Sequence, residues 1–353
     1  VHPAANQIIG NSFAHPLIPR DKASDKSLDL KISNEFFDHS YHLNHALFDG
    51  WFHSGLSEQN LDSTSLQSDL EQFRLGLKQM PNARILFSPN EKTETIATKL
   101  EDDKLGHLEA ARHCYLDGAF NVNSTSVDAW KTILQSLRGQ IIPSSKTTDG
   151  VISQTFKEDS KTPFPRFITP TGTSADTSKT QQDLWAGFRT LSDDDIDLLA
   201  RNIVEQVKIR GPFHSMSDFV NRRLSTTSED TAATANATRP YNLSLKSSLQ
   251  TAIDETGINQ KLYKTIQNDA AVDAVGYPNP DAAKGLRSAG ASGYLSQGDI
   301  LQALGTILTV RGDTFVIRTY GESRDASGKV QAKAGCEAVV QRSHNFISPA
   351  NSS

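Results

Sequence analysis

The feature that most limits how this chain can fold is a pair of alternating runs near its C-terminus. Residues 314–321 (TFVIRTYG) alternate β-branched and aromatic residues with others, and residues 324–328 (RDASG) supply a turn. The pattern predicts a long antiparallel β-hairpin with one face buried, so the chain must contain a sheet. In the returning run, residues 330–340, small and apolar side chains occupy alternate positions: Ala332, Ala334, Cys336, Ala338 and Val340.

The rest of the 353-residue chain has an ordinary globular composition, with 37% hydrophobic and 22% charged residues and a mean hydropathy of −0.45. This length suits two or three domains. No run approaches the roughly 18–20 apolar residues that span a bilayer. Thirty-six Lys and Arg against 41 Asp and Glu give a net charge of −5. Because no basic block dominates, nucleic acid is not an expected partner.

Apolar residues at helical intervals predict a series of amphipathic helices. The clearest one begins at Ser192, where Ser192 and Asp195 have the spacing of a capping box, and it ends near Arg210 before Gly211-Pro212. Ser215 and Asp218 repeat that spacing and open a shorter helix to Leu224, so the two helices form a hairpin. The other predicted helices cover residues 34–52, 65–79, 105–116, 245–256, 262–274 and 296–304.

Residues 118–126 (GAFNVNSTS) have a short strand-like pattern that leads directly into a helix over residues 127–139. Residues 141–180 are rich in Ser, Thr, Lys and Pro, and this composition predicts a loop or excursion rather than a core element. Residues 225–239 are nearly all Ser, Thr, Ala, Asn and acidic residues, lack the apolar surface to form a core, and are predicted to form a flexible linker or loop.

The two cysteines, Cys114 and Cys336, are too few for a disulfide framework and are not spaced as a metal knuckle. A long-range disulfide between them and two buried free thiols are both compatible with the sequence, and the second case is the commoner one. The chain begins at Val1 without an initiator Met or the features of a signal peptide. We therefore expect it to be a mature or truncated piece of a longer protein.

Four histidines, His39, His42, His45 and His53, fall within fifteen residues of one another. On a helix, His42 and His45 would share a face and could offer two imidazoles to a metal ion. No third ligand can be identified, and the histidines alternate with apolar residues as at the partly buried edge of an amphipathic helix. We expect no metal site here.

The acidic run of residues 193–197 (DDDID) and the loop of residues 273–281 (DAVGYPNPD) could be offered as cation sites. Capping and the helix dipole explain the first run, and the second has the composition of a solvated loop. The sequence contains no nucleophile elbow, phosphate loop, dinucleotide fingerprint or zinc-helix motif. We therefore predict no catalytic, cofactor-binding or metal residues, and a chain that is not an enzyme.

Several segments resemble the minor pseudopilin K family of type II secretion. Residues 120–126 (FNVNSTS) resemble its short strand before an inserted helical domain, and residues 191–196 and 211–219 (GPFHSMSDF) resemble that insertion. Residues 308–318 (LTVRGDTFVIR) resemble its return strand, with Gly312 where Ser is usual.

A closer resemblance is to the Verru_Chthon cassette protein A family, large pilin-like proteins encoded beside other pilin-like genes. Its pattern is similar to residues 120–130, 217–224 (SDFVNRRL), 295–300 (LSQGDI) and 314–342, which include CEAVVQR at 336–342. The resemblance covers the chain from about Tyr41 onward.

The resemblance implies an α+β fold, in which a pilin-like antiparallel sheet with the C-terminal β-hairpin is interrupted by a mainly helical insertion domain. It also implies an apolar N-terminal helix as membrane tether, which this sequence does not contain. Pseudopilin K proteins bind calcium in the insertion, but no matching acidic ligand set can be aligned, so no calcium ligands are transferred.

These observations predict three regions: a mainly helical region 1–118, a strand and helical insertion ending in a linker over 119–240, and helices followed by the β-hairpin over 241–353. The expected function is that of an exported, non-catalytic subunit of a pilus or secretion-like filament, located in the periplasm, cell envelope or a surface filament. Its expected partners are other pilin-like subunits. The alternatives are an envelope-associated metal-dependent enzyme built on the acidic run or the histidines, and a passive surface protein, for which no solenoid repeat is visible.

Overall fold

The computed structural model describes residues 13–18, 23, 38–51, 65–78, 85–102, 106–116, 119–145, 152–167, 169–176, 181–224, 243–261, 267–268, 276–283 and 285–342. The chain forms two compact units. The first unit comprises Val1–His53 and Val122–Val310, and the second comprises Ser54–Asn121 and Arg311–Ser353. The division into three regions expected from the sequence stays a prediction.

The described residues form a mixed α and β structure with a C-terminal antiparallel hairpin, which confirms this coarse part of the predicted fold. The helices are α1 (His39–Trp51), α2 (Leu66–Arg74), α3 (Thr93–Leu100), α4 (Gly106–Glu109), α5 (Val127–Gln135), α6 (Gln181–Ala186), α7 (Asp193–Arg210), α8 (Met216–Val220), α9 (Ser248–Glu255), α10 (Pro280–Ala283) and α11 (Gln297–Leu304). The strands are β1 (Ile85–Phe87), β2 (Cys114–Leu116), β3 (Phe120–Asn121), β4 (Ile142–Ser145), β5 (Ile152–Phe156), β6 (Thr162–Phe164), β7 (Arg189–Leu191), β8 (Gln267–Asn268), β9 (Gly285–Leu286), β10 (Leu308–Thr309), β11 (Thr314–Arg324) and β12 (Val330–Gln341). No helix in these ranges is long and apolar enough to cross a membrane.

Most of the predicted helices are present, and their starts follow the predicted caps. Ser192 and Asp195 form the reciprocal capping box at the start of α7. Ser215 caps α8 by accepting from the Asp218 N–H, but the Asp218 carboxylate accepts from His214 instead of returning to Ser215. That helix ends at Val220, four residues earlier than expected.

The prediction of a loop over residues 141–180 is wrong, because this segment contains three strands, β4, β5 and β6. β4 pairs antiparallel with β5, and β6 pairs with β7 so that Pro163 lies opposite Thr190. Proline prevents a helix, but it is tolerated in a two-stranded sheet where its missing N–H can face the open edge. Phe164 is fully buried, so this segment contributes to the core.

Two other predicted helices are also corrected. The helix over residues 105–116 ends early, because Cys114–Leu116 forms β2 and pairs with β1. In the helix predicted over residues 262–274, the described residues Gln267–Asn268 form β8 and pair with β9. The linker predicted over residues 225–239 lies outside the described residues.

The core of the first unit is organised around α7, which packs on α5 and α9. Its buried face carries Ile196, Leu199 and Ile203 at helical intervals. Trp130 of α5 is buried and stacks on Phe219 of α8, with ring centroids 6.1 Å apart. The predicted amphipathic patterns therefore meet in one apolar layer.

A buried ion pair joins distant segments of the same unit. The Nε atom of Arg166, which follows β6, lies 2.9 Å from an Asp299 carboxylate oxygen, and both side chains are almost completely buried. Arg166 also donates to the carbonyls of Gly290, Ala291 and Tyr294. Burial raises the pKa of the Asp299 carboxyl, while hydrogen bonds from Arg166 and Ser296 oppose that shift.

The second unit has a smaller core between α2, α3, β1 and β2. β1 and β2 pair antiparallel, with Ile85 opposite Leu116. The buried side chains of this cluster are Leu70, Phe73, Ile85, Ile96, Ala97 and Cys114.

The predicted hairpin is present as β11 and β12, which pair from Thr314 opposite Gln341 to Arg324 opposite Val330. The expectation that one face is buried is wrong for the described chain. Every residue of β11 is exposed, and so is every residue of β12 except Val330. The alternation of residue types predicts the two strands and their two faces. It does not predict whether another part of the chain packs on either face.

Candidate functional site

The histidine cluster does not converge on a common centre in the described residues. His42 is partly buried with its ring edge-on to Tyr41 at 6.0 Å, and His45 is exposed with its ring 5.7 Å from that of Tyr41. The His39 side chain and the whole of His53 lie outside the described residues. Within the described ranges, no group of three or more His, Cys, Asp or Glu residues could hold a metal ion.

The acidic run at the start of α7 is occupied by capping and ion pairing. Asp193 accepts from Gln135 at 3.0 Å and also pairs with Arg138. Asp197 pairs with Lys131 at 2.9 Å and Arg201 at 2.7 Å. The hydrogen bond from Arg201 lowers the pKa of Asp197. This arrangement fits the capping interpretation of the sequence. Of the acidic loop at 273–281, residues 273–275 lie outside the described residues, whereas residues 276–281 are described.

A shallow polar cleft lies between α2 and the turn before α3, lined by charged and hydroxyl side chains. Two of its charged side chains, Glu71 and Arg74, are engaged with each other. Arg74 donates to Glu71 at 3.0 Å, and the Thr93 hydroxyl donates to the same carboxylate at 3.2 Å. Glu71 is therefore already engaged by two neighbours within the cleft.

Asn123 brings together three segments that are far apart in the sequence. Its side-chain oxygen accepts from the Phe213 N–H at 2.7 Å. Its amide nitrogen donates to the Phe213 carbonyl at 3.0 Å and to the Val310 carbonyl at 3.3 Å. The neighbouring Val122 N–H donates to the Thr309 carbonyl at 2.7 Å. The sequence marks all three segments as motifs, but spacing alone did not indicate that one amide connects them.

The exposed hairpin has two chemically different faces, because residues opposite each other in an antiparallel pair share a face. The apolar face has no charged residue and contains Phe315, Ile317, Thr319, Gly321, Ser323, Ala332, Ala334, Cys336, Ala338 and Val340. The charged face contains Val316, Arg318, Tyr320, Glu322, Arg324, Lys333, Gly335, Glu337 and Val339. Ile317 of the apolar face is 47% exposed and Val340 is 44% exposed.

The charged face is organised by short ion pairs along and across the strands. Arg318 of β11 donates to Glu337 of β12 at 2.6 Å. Arg324 pairs with Glu322, and the Tyr320 hydroxyl donates to that same glutamate at 2.9 Å. This hydrogen bond raises the pKa of Tyr320. One face is therefore suited to water, whereas the other offers only small, apolar and hydroxyl side chains.

Arg342 fixes the base of the hairpin to the rest of the second unit. Its Nε atom donates to the Asp313 carboxylate at 2.8 Å, and its Nη2 atom donates to the Cys114 carbonyl at 2.9 Å. Its guanidinium carbon lies 4.7 Å from the centroid of the Tyr115 ring. The base is anchored at β2, while the strands beyond it are exposed.

The two cysteines are in different environments and form no disulfide. Cys114 is buried, and burial raises the pKa of its thiol. Cys336 is free and exposed in the middle of the apolar face, so the expectation of two buried thiols holds for Cys114 and is wrong for Cys336.

The apolar face is the candidate functional site, because an uncharged, exposed sheet face of this length is typical of a surface that another element covers. Sequence reasoning identified its residues but assigned them to the core. Comparison with protein-family models, curated proteins and solved structures finds no match.

Proposed function

We propose that this chain is a non-catalytic, minor pilin-like subunit of an exported filament or secretion-like apparatus, and that it acts through protein–protein contacts. The observation that carries the proposal is the apolar face of the hairpin. A two-stranded hairpin is at best marginally stable in water on its own. A chain that maintains an exposed, uncharged sheet face therefore gains stability when another element covers it.

The contacts of Asn123 add support. The segments that resemble pseudopilin K and the Verru_Chthon cassette protein A family include residues 120–130, 211–219 and 308–318. Asn123 lies in the first of these and hydrogen-bonds to Phe213 and Val310 in the other two. In the resembled families the first segment is the strand before a helical insertion, and the last is the strand that returns from it. A side chain that joins both ends of the insertion agrees with that arrangement.

The proposed partners are other pilin-like subunits, and the proposed location is the periplasm, envelope or a surface filament. The families tether such bodies through an apolar N-terminal helix, and this helix is the element we propose to cover the apolar face. A tip or initiation role follows from the resemblance, because a bulky helical insertion hinders stacking above it in a filament.

The first test is filament incorporation in the source cells. We expect Ile317→Asp, which puts a charge on the apolar face, to remove the protein from sheared surface filaments, as measured by immunoblot. The matched control is Val316→Asp, the neighbouring exposed position on the charged face, which should leave incorporation intact. Equal incorporation of both variants would count against the proposal.

The second test is the coding sequence upstream of Val1. The proposal requires a prepilin cleavage motif followed by about 20 apolar residues. A gene without such a segment would exclude a pilin-like subunit.

A further inference from the structure

The outer edge of β12 is open among the described strands, since the hairpin forms a sheet of only two strands. The backbone N–H of Arg342 donates to the Asp313 carbonyl at 2.6 Å. These two residues are therefore a hydrogen-bonded pair at the base of the ladder. Hydrogen-bonded and non-hydrogen-bonded pairs alternate along an antiparallel ladder. The residues of β12 whose N–H and C=O groups point away from β11 therefore include Lys333, Gly335, Glu337, Val339 and Gln341.

This edge has a self-complementary charge pattern. Lys333 and Glu337 lie two positions on either side of Gly335, on the same charged face. If two copies of β12 pair antiparallel about Gly335, Lys333 of each copy lies opposite Glu337 of the other. The same register places each Gly335 opposite its counterpart, where the outward N–H and C=O groups of the two copies can bond.

We propose that a second copy of this chain pairs with β12 in this register and converts the two hairpins into one four-stranded antiparallel sheet. Opposite residues share a face, so Ala334 of one copy lies opposite Cys336 of the other and the two apolar faces become continuous. This homodimer goes beyond the pilin-like assignment and does not rest on it.

Charge favours the β12 edge over the β11 edge. On β12 only Glu337 is already engaged, by Arg318, and Lys333 has no ion-pair partner among the residues that the structure describes. On β11 both corresponding residues are engaged, Arg318 by Glu337 and Glu322 by Arg324 and Tyr320. A lone lysine on an edge usually discourages pairing. In the proposed register Glu337 of the second copy lies opposite Lys333, so this lysine favours one specific register of pairing.

The first test is a charge swap in the full chain, read by sedimentation velocity over a concentration series. We expect the wild type to dimerise, and Lys333→Glu to weaken dimerisation by about tenfold or more, because two attractive pairs become repulsive. The double variant Lys333→Glu/Glu337→Lys should restore the dimer.

The double variant is informative because each substitution also creates a like-charge contact inside the hairpin. Position 333 lies opposite Glu322, and position 337 lies opposite Arg318. Those two contacts remain in the double variant, so recovered dimerisation reports only the contact between copies. A wild type that stays monomeric at every concentration, or a Lys333→Glu variant that dimerises normally, would overturn the proposal.

The second test locates the two-fold axis by cross-linking. In a Cys336→Ser background, Gly335→Cys should form an intermolecular disulfide under mild oxidation, because directly opposite Cα atoms are about 5.5 Å apart. A Cβ atom at residue 335 has space, since its nearest neighbour, the Thr319 carbonyl oxygen, is 3.8 Å away. Cys114 is buried and does not compete.

The matched control is Tyr320→Cys in the same background, at the corresponding position of β11. It should stay monomeric on a non-reducing gel. A cross-link through Tyr320→Cys with none through Gly335→Cys would place the dimer on the wrong edge and overturn the proposal.

Discussion

The side-chain amide of Asn123 uses both its oxygen and its nitrogen to hold two distant backbone segments. Its nitrogen is the only part of it that can donate, and the Phe213 and Val310 carbonyls both accept from that donor. An aspartate at this position has the same shape and can still accept from the Phe213 N–H. Its second carboxylate oxygen faces the Phe213 and Val310 carbonyl oxygens and cannot donate to them.

We therefore expect Asn123→Asp to lower the free energy of unfolding by about 1–3 kcal/mol, as measured by urea denaturation. The matched control is Asn202→Asp, whose amide donates a single bond to the Ala252 carbonyl at 3.2 Å. A loss for Asn123→Asp that is no greater than that of the control would show that the amide is not a structural link.

At this scale the sequence was informative about local caps and uninformative about long-range partners. Ser192 and Asp195 were predictable because both partners lie within one helical turn. The bonds of Asn123 were not, because Phe213 is 90 residues away in the chain. No periodicity encodes a contact at that separation.

At the scale of elements, the turn of the hairpin is organised by one carboxylate. Asp325 accepts from the Ser327 hydroxyl at 2.6 Å, from the Lys329 N–H at 3.0 Å and from the Gln331 amide at 2.7 Å. These hydrogen bonds, with that from Ser327 first, lower the pKa of Asp325 to about 2 from its ordinary value of 3.8.

A lowered carboxyl pKa means that the folded turn stabilises the ionised form of Asp325 relative to the protonated form. The stabilisation of the turn is therefore complete above pH 3.8 and is lost as the pH falls through about 2. In a carboxyl NMR titration, we expect Asp325 to titrate near pH 2 and Ser327→Ala to move the midpoint upward. A midpoint at the ordinary value in the wild type would contradict this account.

The elements also show why pattern reasoning failed for residues 141–180. Proline and hydroxyl residues suppress helix formation, and their abundance predicted a loop. Short two-stranded pairs such as β6 with β7 need only three residues in each strand, too few to produce a clear alternation. The hairpin, with strands of 11 and 12 residues, is long enough for its alternation to be unambiguous.

At the scale of the whole molecule, cohesion within the first unit depends on the buried Arg166. It connects the segment after β6 to the carbonyls before α11 and to Asp299, 133 residues along the chain. Removing one member of a buried pair leaves the other charge without compensation.

We expect Arg166→Met to lower the free energy of unfolding by about 3–5 kcal/mol, and Arg166→Met/Asp299→Asn to recover part of it by removing the orphaned charge. Urea denaturation measures both. The control is Arg201→Met, which breaks the exposed pair with Asp197 and should have a far smaller effect, because water screens an exposed pair. Similar losses for Arg166→Met and Arg201→Met would show that burial adds nothing to the pair.

The anchoring of the hairpin at one end has a mechanical consequence. The 11 residues of β11, at about 3.4 Å each, make an arm roughly 37 Å long, with Arg342 at the fulcrum beside β2. A load applied across the tip acts through the full length of the arm, so a small transverse force produces a large torque at the base, where Arg342 holds the hairpin. A load that separates the strand ends instead breaks the ladder one rung at a time, so the direction of pull decides whether the arm pivots or unzips.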